Sequence, residues 1–474
     1  MNFSIKASPI LAGIGLLALG CAVGPTFQPP APPQAAQYGP GPQPGSTAAA
    51  QGVAQAFVPG AVVPAQWWTG FQSPELDQRV RQALAQSPTL AQARAALVRA
   101  QENLGAARGG RWPAVDLKAG ANRQNTNNGA PASPFTVYNA SVDVAYTLDL
   151  FGAVRRGVEY QQSLADQQAW LLQGAGLALA ANVATASIQE AGLSAQVQAA
   201  EAVTDALAQQ ESLISRQVQL GARGPADLLA AQANVASARA ALPGLRQQLA
   251  ALRNQLSVYL GRFPAEGGLD GMTLDGLTLP RELPLTLPST LVRRRPDVLA
   301  AEARLRGATA QLGLASANLF PSLTLSGSYG VQALQGSPGM TVWNAGLNLL
   351  QPVFNGGSLR ARKRAAAAGL DEAVAGYRAA VLNAFANVAD TLNALQADAE
   401  TLEARDQAER AAARALELAQ TQYRLGAASY LQLLDATRLW QQSRSGLIQA
   451  RTARLADSAA LYAALGGGWT SHPQ

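Results

Sequence analysis

The sequence predicts a mixed α+β membrane protein in which one structural unit is used twice, each copy reading helix, two strands, long helix, turn, helix. Three observations carry that expectation: an internal repeat at a nearly constant offset, two long tracts without proline, and four short tracts that alternate apolar with polar side chains. Helical and strand periodicities in the same half call for both kinds of element. Self-similarity at a fixed offset calls for two copies of one fold.

The first element is a leader. Residues 1–20 read as a secretion signal, with Lys6 as a thin positive region and residues 9–19 as an apolar stretch too short to span a bilayer. The stretch ends Leu17-Ala18-Leu19-Gly20-Cys21, which resembles a bacterial lipobox with Cys21 as the residue to be lipidated. The alternative is an ordinary signal peptide followed by an unpaired thiol. Cys21 is the one cysteine in the chain, and an exposed free thiol suits an oxidising compartment poorly. A single acylated terminus tethers reversibly, so a second attachment to the membrane is expected. No other segment runs to about eighteen apolar residues without charge, so that attachment would have to be β-structured.

The repeat follows. Residues 88–113 lie on 296–321 without a gap, setting Leu90 on Val298, Ala93 on Ala301, Leu104-Gly105 on Leu312-Gly313 and Trp112 on Phe320. A second pairing sets Leu220-Gly221-Ala222 on Leu425-Gly426-Ala427 and ends with Leu260-Gly261 on Leu465-Gly466. Proline is absent between Pro134 and Pro225 and between Pro352 and Pro473, and both gaps are rich in Ala, Leu, Gln and Glu, which favour helix. Helices over about 154–219 and 359–424 would each run roughly 100 Å, a length that belongs to a tubular or coiled-coil assembly. Return helices over about 226–260 and 430–465 begin just after the Leu-Gly-Ala turns, and Pro243 is expected to kink the first. Leu434, Ile448, Leu455 and Tyr462 share one heptad register, with Gln441 also on it.

Between the helices come the strands. Val115 and Leu117 alternate with Asp116 and Lys118. Val142, Val144, Tyr146, Leu148 and Leu150 alternate with Ser141, Asp143, Ala145, Thr147 and Asp149. Leu323, Leu325 and Tyr329 alternate with Thr324, Ser326 and Ser328, and Trp343, Ala345, Leu347 and Leu349 with Asn344, Gly346 and Asn348. Taken alone, this pattern fits a membrane barrel with a wet lumen and a half-buried sheet of a soluble domain equally well. Four strands cannot close on themselves, and an open edge is not tolerated in lipid. A membrane barrel therefore requires several chains, and a dimer's eight strands would leave no aqueous lumen, so three or more are favoured.

Composition removes other classes. The chain has a formal net charge of +6, with its basic residues dispersed apart from Arg293, Arg294 and Arg295, and no basic patch interleaved with aromatics marks a nucleic-acid face. One Cys and one His, His472, build no metal cluster and no nucleophile–base pair. No catalytic residue, metal ligand or cofactor is expected.

A set of motifs then marks a family. They are Gly20-Cys21-Ala22-Val23-Gly24-Pro25, Trp67-Trp68 with Phe71, Leu148-Asp149-Leu150-Phe151-Gly152, and Arg294-Arg295-Pro296-Asp297 with Ala301-Glu302. Further on come Phe320-Pro321-Ser322-Leu323-Thr324-Leu325, Pro352-Val353-Phe354-Asn355-Gly356-Gly357, Tyr423-Arg424-Leu425-Gly426 continued by Tyr430-Leu431 and Leu434-Asp435-Ala436, and finally Leu465-Gly466-Gly467-Gly468-Trp469. In order and spacing the chain resembles the TolC/OprM-type outer-membrane efflux proteins, and within them the NodT-type lipoproteins.

The resemblance implies a homotrimer with a twelve-stranded transmembrane β-barrel, four strands per chain, and a long α-helical periplasmic barrel. It implies outer-membrane lipid around the strands, and a periplasmic adaptor and inner-membrane RND-type pump as partners. On this reading 1–20 is the lipoprotein signal, 21–74 a linker and equatorial segment, and 75–262 the first repeat. An equatorial linker, 263–290, precedes the second repeat, 291–466, and a tail, 467–474. The adaptor-contact tips fall on Leu220, Gly221 and Ala222 and on Leu425, Gly426 and Ala427, where glycine also serves simply to end a helix. The periplasmic gate falls on Tyr423, Asp435 and Asp227, and the two acids equally suit solvated first-turn positions favoured by the helix dipole. Gln432 and Ala428 stand where some relatives carry an acid and an arginine, leaving the constriction to other pairs such as Arg223 or Arg424. Two rival functions keep part of this picture: a type I protein-secretion duct, and a coiled-coil lipoprotein with no pore.

Overall fold

The computed structural model describes residues 23–468, apart from 32, 34, 36, 42, 43, 126–133 and 270. The predicted leader, Cys21, Trp469, His472 and most of the first hairpin loop lie outside the described residues. In chain order the elements are β1 (Ala56–Pro59), a 3-10 turn (Trp67–Phe71), α1 (Pro74–Gln86), α2 (Pro88–Gly109), β2 (Ala114–Gln124), β3 (Phe135–Leu148), α3 (Ala153–Gln219) and α4 (Pro225–Tyr259). After a linker with two short turns come β4 (Glu282–Leu285), a single helical turn (Pro288–Leu291), α5 (Pro296–Ala317), β5 (Ser322–Leu334), β6 (Met340–Leu350), α6 (Ser358–Arg424) and α7 (Tyr430–Ala464).

The duplication is metrical. Helices α2 and α5 have 22 residues each, α3 and α6 have 67 each, and α4 and α7 have 35 each. Pro243 lies inside α4, which continues through it. The expectation that no segment beyond the leader is long and apolar enough to cross a membrane is corrected here, because one stretch of α3 passes by length and composition. Half of it is buried inside the chain, where Val183, Ala184 and Ile188 are fully covered, as close helix packing requires.

The chain divides into two compact units. One comprises the described residues up to Ala31 with Ala95–Trp170 and Ala300–Ala379, and it contains an antiparallel sheet ordered β2-β3-β5-β6. Its register lines the alternating residues into rows across all four strands. Leu117, Val142, Tyr329 and Trp343 are successive partners, and the rows Tyr146-Leu325-Leu347 and Leu148-Leu323-Leu349 lie on the same face. Asp116, Asp143, Ser328 and Asn344 form a row on the other face, as do Thr147, Thr324 and Asn348. Lys118 bridges to Asp143 at 3.0 Å, relieving the two aspartates that stand opposite each other.

The predicted second strand is too long by two residues. It ends at Leu148, and Asp149 turns from strand to cap: its carboxylate accepts the Val154 and Arg155 amides at 2.9 and 2.8 Å and starts α3. Phe151 then stacks on Phe320, centroids 4.8 Å apart, tying the start of α3 to the start of β5.

The second unit comprises the described residues of Pro32–Arg94, Leu171–Leu299 and Ala380 onward. Here the N-terminal segment and the linker between the repeats pair through a two-stranded parallel sheet of β1 and β4. Ser73 caps α1 by accepting the Leu76 amide, with Pro74 at the first helical position. Trp67, Trp68 and Phe71 are buried: Trp67 stacks on Tyr462 at 5.2 Å, and the Trp68 indole donates to Asp77 at 2.9 Å. The predicted heptad positions Leu434, Ile448, Leu455 and Tyr462 are all buried. Arg295, part of the one basic run, is a buried fastener that donates to Ala464 O at 2.7 Å and pairs with Asp297.

Candidate functional site

Each long helical hairpin ends in the same turn. Gly221 and Gly426 adopt φ of 73° and 74°, in the left-handed region that glycine enters without steric cost. Ala222 N–H donates to Gln217 O at 2.9 Å, and Ala427 N–H to Gln422 O at 2.8 Å, closing the last carbonyls of α3 and α6. The turns leave Leu220 83 % and Leu425 78 % exposed, so each hairpin presents an uncovered leucine at its end. The returns start differently: Pro225 opens α4, whereas Ser429 and Gln432 form a reciprocal capping box on α7. Gln432, expected only to lack the acid of some relatives, therefore has a role of its own.

Just behind these turns the two hairpins meet. Ile214, Ala231, Tyr430 and Leu434 form a small buried cluster, with Val218, Leu228, Ala230 and Tyr423 packed against it. Arg223 joins two of the three predicted gate residues. Its guanidinium lies 4.8 Å from the centre of the Tyr423 ring and reaches an Asp227 carboxylate oxygen at 3.5 Å. Tyr423 in turn tilts against Tyr430 with centroids 6.0 Å apart. Burial pushes the Tyr423 phenol upward and the Tyr430 phenol up to about 12, so both stay neutral across the physiological range. Asp435 is exposed on α7 and stands outside this cluster. Tyr430 enters the sequence analysis only as part of a motif; its spacing of seven from Tyr423 across a tight turn is the signal that places it here.

The sheet is the second functional surface. Its apolar rows are open: Leu117 is 81 % and Trp343 74 % exposed, and Tyr329, Leu347 and Leu349 are exposed with them. A soluble half-buried sheet would cover this face, and the described residues leave it open. Among the described residues its outer strands β2 and β6 each have one neighbour in the sheet, leaving two unpaired edges.

The family model described as outer membrane efflux protein matches residues 80–262 and 287–467, once over each copy of the repeat. The chain belongs to the outer membrane efflux protein family. It is 32 % identical over 422 residues to the pyoverdine export outer membrane protein OpmQ of Pseudomonas aeruginosa, covering 86 % of this chain and 88 % of that one. It is 30 % identical over 463 residues to the antibiotic efflux pump outer membrane protein ArpC of Pseudomonas putida, covering 95 % and 93 %. Among solved structures, the outer-membrane channel OprN matches with a TM-score of 0.83 at 29 % identity, over 95 % of this chain and all of that one. The fold is that of TolC-like outer-membrane channels, and the proteins it resembles are described as channels and efflux proteins. Among the described residues no group of three or more His, Cys, Asp or Glu side chains is placed to hold a metal ion.

Proposed function

We propose that this outer membrane efflux protein is the exit duct of a tripartite pump: three chains close one twelve-stranded barrel in the outer membrane, and their helical hairpins extend the same passage through the periplasm. The observation that carries the reading is the sheet, with an uncovered apolar face, a polar face opposite, and two unpaired edges. Lipid covers the first, water wets the second, and neighbouring chains pair the third. Cys21 carries a lipid that adds a second attachment.

Conduction is passive and gated. A periplasmic adaptor grips the exposed ends at Leu220, Gly221, Ala222, Leu425, Gly426 and Ala427, and an inner-membrane RND-type pump feeds the passage. Tyr423 and Asp227, linked through Arg223, hold the hairpins together in the closed arrangement, while three copies of Asp435 around the axis favour cations. The adaptor opens the duct by binding the parted arrangement better than the closed one. Small molecules as cargo are supported by the relative described as an antibiotic efflux pump protein.

Electron microscopy of the detergent-extracted, membrane-purified protein tests this. A three-fold cylinder with a helical section of about 100 Å is expected; separate rods or compact monomers would end the duct reading.

A further inference from the structure

Beside the start of α3, helices α2 and α5 and the N-terminal segment enclose a cavity of about 440 Å³. Four of its lining residues are arginines, Arg108, Arg111, Arg156 and Arg306, against a single acid, Glu159. That density of guanidinium groups is unusual in a chain whose basic residues are otherwise dispersed. Such groups repel one another unless an anion lies among them, and a planar guanidinium matches phosphate oxygens two at a time.

Carboxylates meet part of this charge, pairing with Arg156 and Arg306, whereas none of the described carboxylates pairs with Arg108 or Arg111. Arg156 is 5 % exposed; it donates to Glu159 at 2.7 Å and weakly to Gly24 O at 3.4 Å, and its Nε is buried with no acceptor among the described residues. Arg108 donates to the neutral amide of Gln162. Arg306 is held from outside the cavity by Asp166 and Glu302 and lies over the Phe27 ring at 5.2 Å.

Position supplies the occupant. Val23 N–H donates to Phe151 O at 3.3 Å, so the N-terminal segment is fastened where the sheet passes into helix. Gly24 packs against Gly313 so closely that a Cβ at Gly24 would come within 2.6 Å of the Gly313 backbone. Cys21 is two residues before this fastening point. If the sheet spans the outer membrane, the cavity sits at the level of the headgroups of the periplasmic leaflet, with Phe27 as apolar wall.

We propose that this cavity binds the phosphate of an anionic phospholipid headgroup from the periplasmic leaflet. The inference rests on the membrane reading of the sheet. Basic pockets at membrane level recognise headgroups in this way, by charge and fork geometry. One bound lipid per chain would fix the depth of the barrel beside a tether that alone is reversible.

The test is native mass spectrometry of the full chain, extracted as the assembled protein and titrated with dihexanoyl-phosphatidylglycerol, dihexanoyl-phosphatidylcholine and inorganic phosphate separately. Saturable binding of one phosphatidylglycerol per chain is expected, with phosphatidylcholine much weaker. Arg108 and Arg111 are exposed, so R108Q/R111Q leaves the fold intact and should weaken binding by about ten-fold per arginine, roughly a hundred-fold together. Equal binding by wild type and variant would make the lipid annular and overturn the site. Inorganic phosphate binding as tightly as phosphatidylglycerol would overturn the lipid source. A protein that forms a conducting three-fold tube yet binds no headgroup defeats this inference and leaves the duct standing; failure to form the tube defeats both.

Discussion

Replacing Arg223 with Gln tests the closed state at its joint. Arg223 makes two contacts behind the hairpin ends, the Tyr423 ring at 4.8 Å and Asp227 at 3.5 Å, and its side chain is 24 % exposed against 41 % for Asp227. A half-exposed cation–π contact contributes about 0.5–1 kcal/mol. A half-exposed ion pair screened by water contributes about 0.2–1 kcal/mol. Together they come to about 1–2 kcal/mol per chain. If three chains open together, the closed arrangement loses about 3–6 kcal/mol, which at about 1.4 kcal/mol per decade shifts the equilibrium by roughly a hundred- to ten-thousand-fold. In planar bilayers the Arg223→Gln channel should therefore dwell open where the parent is mostly shut. Arg223 meets both the ring face and the hydroxyl of Tyr423, so Tyr423→Phe should open the channel only part of the way while Tyr423→Ala follows Arg223→Gln. Unaltered open probability in both Arg223→Gln and Tyr423→Ala would refute the reasoning, since no other residue joins Tyr423 to Asp227 among the described contacts.

Three further outcomes follow from particular contacts. Leu347→Arg puts a charge on the apolar face of the sheet and should cost about 2–4 kcal/mol if that position lies near the bilayer midplane, read as lower heat-dissociation temperature of the assembly; Asn348→Arg, on the opposite face, should be tolerated, and equal effects would contradict the two-faced sheet. Glu190 is 1 % exposed between Arg79 and Arg253, so Glu190→Ala should destabilise by about 3–5 kcal/mol; an unchanged melting midpoint would show that water replaces the carboxylate. The Asp398 carboxyl is pushed up to about 7, first by burial, then by its hydrogen bond to Asp457 and that group's charge, with Arg454 pulling the other way. A folded pKa above the ordinary 3.8 means that this stabilising contribution is full below pH 4 and is lost as pH rises toward about 7. The midpoint should fall across that window and Asp398→Asn should flatten the fall; a flat profile in the parent would contradict it.

Helix ends were legible to within a residue because their signals are local. Pro225 opens α4, and Gly221 and Gly426 close their turns. The two faces of the sheet were legible because alternation is a property of the strand itself, though whether the rest of the chain covers the apolar face was not: that needed the structure, in which none of the described residues covers Trp343 or Leu117. Charges were the illegible part. Arg295 read as one of a basic run and proved to be buried against the Ala464 carbonyl, and Arg454, 1 % exposed, binds the N-terminal segment through Val53 O. The worth of a buried charge is decided by partners far away in sequence, which no window displays. Asp149 was misassigned for a related reason, since an aspartate that ends a strand and one that caps a helix look alike until the amides behind it are seen.

The equal helix lengths in the two copies have a consequence for how such a chain can change. One residue added to α3 alone would advance everything beyond it by about 1.5 Å and turn it by about 100°, carrying Arg223 away from Tyr423. The repeats have drifted freely elsewhere: β2 and β5 start 208 residues apart but α3 and α6 only 205, so the difference was absorbed in and around the hairpins. The two copies thus behave like the legs of a trestle, free to be repainted residue by residue but cut to length only as a pair.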